Sequence, residues 1–279
     1  MLATTIIVFR EVLEAALIVG IVLAASKGVA GRSVWVGAGV ACGVLAAGAV
    51  ALFAGALSEL AQGMGQELFN ACILFAAVLM LSWHVVWMGR HGREMAREVG
   101  AVGRAVAGGA RPLYVLAVVV GIAVLREGSE VVLFLYGIAA QGDTGALAQL
   151  AGGALGLAAG IAVGGAMYFG LLTIPQRHLF SATNGLIVLL AAGMAAQAAD
   201  FLVQADVLPA LGQQVWDTSW LLSDKSIFGR VLHTLIGYVD RPSGIQLTVY
   251  FATIAIIATL SKLAGHAPQN RAARPSPAE

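Results

Sequence analysis

"IIVFREVLEAALIVGIVL", residues 6–23, has the apolar length of a membrane-crossing helix, yet Arg10, Glu11 and Glu14 stand in its middle. A hydrocarbon core of about 30 Å takes about 20 mostly apolar residues of helix. An ionised side chain at its centre costs ~3 kcal/mol on insertion scales. Charges placed there need partners, a water-filled path or a change of protonation.

The rest of the chain shares this character. Of 279 residues, 59% are hydrophobic and only 11% charged, where a soluble domain has about 25%. Mean hydropathy is +0.87. The composition specifies an all-α polytopic membrane protein. Spans are expected near 2–25, 34–56, 67–88, 113–139, 147–172, 180–203 and 245–264. The net charge of +1 is uninformative beside the placement of charges. Cys42 and Cys72 lie in apolar runs and read as small buried hydrophobes, not as a disulfide or thiolate metal site. The N-terminus lacks a basic region before its apolar run, so it is not expected to be a signal peptide.

Basic residues outside the spans or at their ends set the orientation. Eleven fall on one side: Lys27, Arg32, Arg90, Arg93, Arg97, Arg104, Arg111, Arg177, Lys262, Arg271 and Arg274. The other side holds only Lys225, Arg230 and Arg241. The positive-inside rule puts the N-terminus outside and the C-terminus in the cytoplasm. The outer segments are acidic instead.

"REVLE" at 10–14 recurs as "REGSE" at 126–130, an offset of 116 that also carries the second span onto the fifth and the third onto the sixth. Each unit has three spans, so the second copy enters from the opposite side. The expected architecture is seven transmembrane helices: two inverted three-helix repeats plus a seventh helix, with the substrate site at the midplane between repeats. The segments are 1–88 (first repeat), 89–112 (cytoplasmic linker), 113–203 (second repeat), 204–244 (extracytoplasmic loop with short helices), 245–264 (seventh helix) and 265–279 (disordered cytoplasmic tail). Glycines and alanines recur every fourth residue in spans 2 and 5, as close helix packing requires.

Within each motif the Arg and second Glu are i and i+4, spaced to pair, and the two Glu are i and i+3 on one face. Two Arg cannot neutralise four Glu, so the cluster carries a surplus of two negative charges. Carboxylate oxygens suit hard cations, and carboxylate-rich iron sites built from facing bundle helices are known. Glu11, Glu14, Glu127 and Glu130 are the candidate metal ligands. Arg10 and Arg126 are their ion-pair partners, able to hold the empty carboxylates and release them to an incoming ion.

"FREVLEA" and "LREGSEV", in the first and fourth of seven spans, resemble the R-E-x-x-E motifs of the oxidase-dependent iron permease family. The likeness runs over essentially the whole chain, and the outer segment from Leu208 to Leu247 is similar to the bacterial branch. The resemblance implies ferric iron moved inward across the plasma (bacterial inner) membrane, with iron as the transported substrate and no other cofactor. It implies an extracytoplasmic ferroxidase or iron-delivery protein as partner, and any redox step is expected to belong to that partner. It also assigns the motif glutamates to Glu11, Glu14, Glu127 and Glu130, and the arginines to Arg10 and Arg126. The chain departs from the fungal pattern in having no further E-x-x-E in its outer loops.

Further positions qualify as a first stop or relay: Glu67 at the outer end of span 3, Asp143 in an outer loop, and His84 and Asp200, which the offset of 116 relates. Trp83 and Trp87 suit an inner interfacial belt. The alternatives are a proton-coupled carrier of another hard cation such as manganese, and a membrane enzyme using paired carboxylates for acid–base work. No nucleic acid partner is expected.

Overall fold

The structure, a computed structural model, describes residues 1–60, 65–140, 145–170, 176–212, 214–224 and 226–266. Among them the chain is all helix and turn. The helices are α1 (Leu2–Ala25), α2 (Arg32–Leu60), α3 (Gln66–Ala107), α4 (Tyr114–Ala140), α5 (Ala146–Tyr168), α6 (Gln176–Gln204), α7 (Ile227–Ile236) and α8 (Gly244–His266). Five contain stretches long and apolar enough to cross a membrane: Arg32–Ala56, Glu67–Trp87, Ala146–Tyr168, Asn184–Gln204 and Gly244–Leu263. The 24 residues of α1 and 27 of α4 are as long, and their sequences are equally apolar apart from one charged triplet each. The chain is a multi-pass membrane protein.

The longest helix, α3, continues unbroken for 42 residues, about 63 Å at 1.5 Å per residue. It therefore runs through most of the 89–112 segment. Val99 and Val106 on this extension are buried against Ile18 and Val22 of α1 and Leu116, Val120 and Val124 of α4. Gly103 lets the extension close on Ala25: a Cβ there would stand 2.6 Å from the Ala25 Cβ.

The two helices with charged triplets are each seated on a small-residue helix from the other half of the chain. α1 packs along α5, and α4 along α2; α1 also meets α4, and α3 meets α6. The buried face of α5 is Gly152, Gly156, Gly160 and Gly164. On the other seam, Gly39 and Gly43 of α2 approach the backbone of Ala117 and Gly121, and Gly128 of α4 faces Ala47. Without side chains on one partner the backbones come close enough for dispersion to hold them. Cys42 and Cys72, expected to be buried, lie on outward faces. In a membrane that face meets lipid, so an apolar thiol is equally at ease there.

Two apolar clusters flank the middle of the bundle. One joins Ala3 and Ile7 to Leu74, Leu81, Phe134 and Met194. The other gathers Ile18 and Val22 with the start of α4 and the extension of α3. The charged triplets lie between them.

Among the described residues of the 204–244 segment there is one short helix, α7, over the apolar run 227–236. Ser226 caps it by accepting from the Gly229 amide at 2.9 Å. Gly237 ends it at φ 69° and abuts Gly193 of α6. Backbone bonds from Val215 to Pro242 and from Thr218 to Asp240 clasp the two ends of the segment, and Arg241 reaches Asp217 at 3.1 Å. Hydrogen bonds from the Ser219 hydroxyl and amide, then Arg241, hold the Asp217 carboxyl below its ordinary pKa.

Candidate metal centre

Helical spacing and the α1–α4 contact bring both triplets to one place. Arg10, Glu11, Glu14, Glu127 and Glu130 are all buried to within 4% exposure, with His84 of α3 at 1% beside them. Arg10 spans its own motif: Nη1 donates to Glu11 Oε1 at 2.8 Å, and Nη2 pairs with Glu14 Oε1 at 2.9 Å. Arg126 is placed differently. Its Nε donates to Glu130 Oε1 at 3.3 Å and lies 3.9 Å from Glu127. Its guanidinium rests 4.5 Å over the Trp87 ring, which stacks in turn on His91. Arg126 is 31% exposed where Arg10 is sealed.

The ion pairs leave much of the cluster unsatisfied. Glu11 Oε2, Glu14 Oε2 and both oxygens of Glu127 are buried without a hydrogen-bond partner. Buried carboxylates in that condition are costly, and each calls for a cation or a donor. One donor atom from each of Glu11, His84, Glu127 and Glu130 lies within 4.8 Å of the others. Donors on opposite sides of an octahedral ion bonded at about 2.1 Å lie about 4.2 Å apart, so this group would have to contract by at least about 0.6 Å to close on one ion.

Three of the four expected ligands, Glu11, Glu127 and Glu130, thus converge. Glu14 stands at the margin, one oxygen held by Arg10 and the other 3.7 Å from His84 Nε2. The other ring nitrogen of His84, Nδ1, faces Glu130 Oε2. Neither Glu67 nor Asp200 belongs to this group. Glu67 is exposed in the first turn of α3. Asp200 accepts from Gln204 at 2.8 Å, and Asp143 lies outside the described residues. Trp87, expected in an interfacial belt, is the shelf under Arg126.

His84 was legible only as a relay candidate related to Asp200 by the offset of 116; its burial beside Glu14 and Glu130 comes from the packing of α3 on α1 and α4. The usable signal is that His84 is the one residue able to carry a positive charge in the apolar run 68–89.

The chain matches the Iron permease FTR1 family over residues 1–264. It is 34% identical over 251 residues to proteins named ferrous iron permease EfeU from Escherichia coli O157:H7 and Shigella sonnei, covering 88% of this chain and 90% of theirs. The same identity holds for the Yersinia pestis protein of that name, with 88% of each chain covered. No solved structure matches the chain. A match across nearly the whole length, on a bundle that buries both R-E-x-x-E motifs in one cluster, makes this chain a member of the Iron permease FTR1 family.

Proposed function

We propose that this protein carries iron inward across the bacterial inner membrane through the buried carboxylate cluster. In this reading α1–α3 and α4–α6 are inverted repeats and α8 is the seventh crossing helix, with the N-terminus outside and the C-terminus in the cytoplasm. The crossed seating of α1 on α5 and of α4 on α2 supports it, because two units related by a two-fold axis in the membrane plane give matching contacts in pairs. The observation that carries the proposal is the convergence of Glu11, Glu127 and Glu130 with oxygens left unpartnered. With two Arg against four Glu, the cluster lacks positive charge, and a metal ion supplies it.

Glu11, Glu127 and Glu130 hold the ion, and Glu14 joins them on release from Arg10. Arg10 and Arg126 neutralise the carboxylates between passages. Carboxylates favour a hard ion, so the cargo is ferric iron, handed over by an extracytoplasmic ferroxidase or delivery protein. The second reading, ferrous iron, is favoured by the names of the relatives.

Radioactive iron uptake into proteoliposomes holding only this chain tests the proposal. Iron is offered in one arm as ferric citrate and in the other as iron(II) kept reduced by ascorbate. Glu11→Gln and Glu127→Gln each lower uptake at least tenfold in the productive arm. Uptake equal to wild type in both variants removes the cluster from the mechanism, and uptake confined to the ascorbate arm replaces ferric by ferrous.

A further inference from the structure

His84 is neither in an R-E-x-x-E motif nor on a motif helix, yet it stands between the two motifs. We infer that its imidazole is a nitrogen ligand of the transported ion, and that it sets the preference of the centre for iron over manganese, magnesium and calcium. The inference rests on the carboxylate cluster being the iron site.

The ring is 1% exposed. Nδ1 faces Glu130 of α4 and Nε2 faces Glu14 of α1. Among the described residues it therefore addresses one carboxylate from each motif. The four donors that gather within 4.8 Å need this ring: three oxygens from α1 and α4 fill one part of the shell, and α3 supplies the rest. A helix dedicated to closing the site would need a rigid register, and α3 has it. Leu81 and Val85 on either side of His84 are buried in the apolar cluster that also holds Phe134 and Ile138 of α4.

Chemistry then assigns the consequence. A shell of oxygens alone suits magnesium, calcium and manganese, whereas imidazole suits iron, nickel, copper and zinc. One nitrogen among carboxylates tilts the set toward iron without making it a soft site. Oxygen in place of that nitrogen leaves a binding site that discriminates less.

The test uses full-length purified protein loaded with iron(II) and nitric oxide, which together give a paramagnetic probe, and protein labelled with ¹⁵N-histidine. Pulsed electron paramagnetic resonance shows a strong histidine nitrogen coupling in the wild type that changes isotope with the label and disappears in His84→Gln. In parallel, His84→Asp, which keeps a donor in place, still takes up iron, but the manganese concentration needed to halve that uptake falls about tenfold, the low end of what disturbing a ligand shell costs. Iron bound in a Glu11- and Glu130-dependent way with no histidine coupling overturns the inference and leaves the iron site standing. Unchanged manganese competition in His84→Asp overturns it too. Iron binding indifferent to Glu11→Gln and Glu130→Gln overturns the site and the inference together.

Discussion

The seam between α1 and α5 makes a quantitative demand on one glycine. A Cβ on Gly156 would stand 2.6 Å from the Thr5 carbonyl oxygen and 2.9 Å from both the Phe9 nitrogen and the Val8 Cβ. All are atoms that cannot rotate away. Lifting the shortest contact to 3.4 Å moves α5 off α1 by about 0.8 Å, more than the ~0.5 Å over which a binding constellation stays productive. Overpacking of this kind costs about 1–3 kcal/mol, offset by up to ~1 kcal/mol because alanine favours helix over glycine. With the full offset, Gly156→Ala is therefore expected to destabilise by up to about 2 kcal/mol and to lower iron uptake. Gly153, one residue off the seam, has nothing within 4 Å of its added Cβ. Gly153→Ala keeps only the helix gain and is neutral to ~1 kcal/mol stabilising. Gly160→Ala, with Val12 at 2.8 Å, falls between wild type and Gly156→Ala. Denaturant unfolding in detergent, followed by tryptophan fluorescence and set beside uptake in proteoliposomes, reads the series. Gly156→Ala as stable as Gly153→Ala would refute the close seating of the charged helix.

Two further outcomes follow from the ion pairs. Arg10→Leu strands Glu11 and Glu14 in a sealed site and costs about 3–5 kcal/mol, whereas Arg126→Leu, at a position 31% exposed, costs less than half of that. Equal losses in the same unfolding assay would contradict the difference in burial. In the outer segment Asp217 has a depressed pKa, so its contribution to the clasp with Ser219 and Arg241 is complete above the ordinary value of 3.8 and is lost as pH falls through the lower folded value. Fluorescence of Trp216 and Trp220 should stay flat from neutral pH down to about 5 and change only below about 4. Asp217→Asn should remove that step, and a midpoint above 3.8 in the wild type would reverse the assignment.

The bundle was largely readable from sequence because membrane helices announce themselves by length and hydropathy. The meeting of the two triplets was readable because charges in lipid have few places to go. The apolar stretch of span 3 was readable too, ending at Trp87. Hydropathy reports what a segment's surroundings are, not whether its backbone stays helical, so it does not tell that α3 runs on without a break past that stretch to Ala107. His84 was readable as a relay candidate in that span, but its neighbours Glu14 and Glu130 on two other helices were not. The unequal burial of Arg10 and Arg126 could not be read either. Their sequence contexts are nearly alike, and only the shelf of Trp87 and His91 on a third helix separates them.

The crossed seating of the charged helices has a consequence for how the molecule can be taken apart. Cut at the turn near residue 110, the chain yields two fragments, each presenting a charged helix whose glycine bed is on the other fragment. Neither could settle alone in lipid, because the acidic faces of α1 and α4 also close on each other across the cut. Co-expressed, they would be forced to find one another, so a severed protein recovers its shape only as a pair.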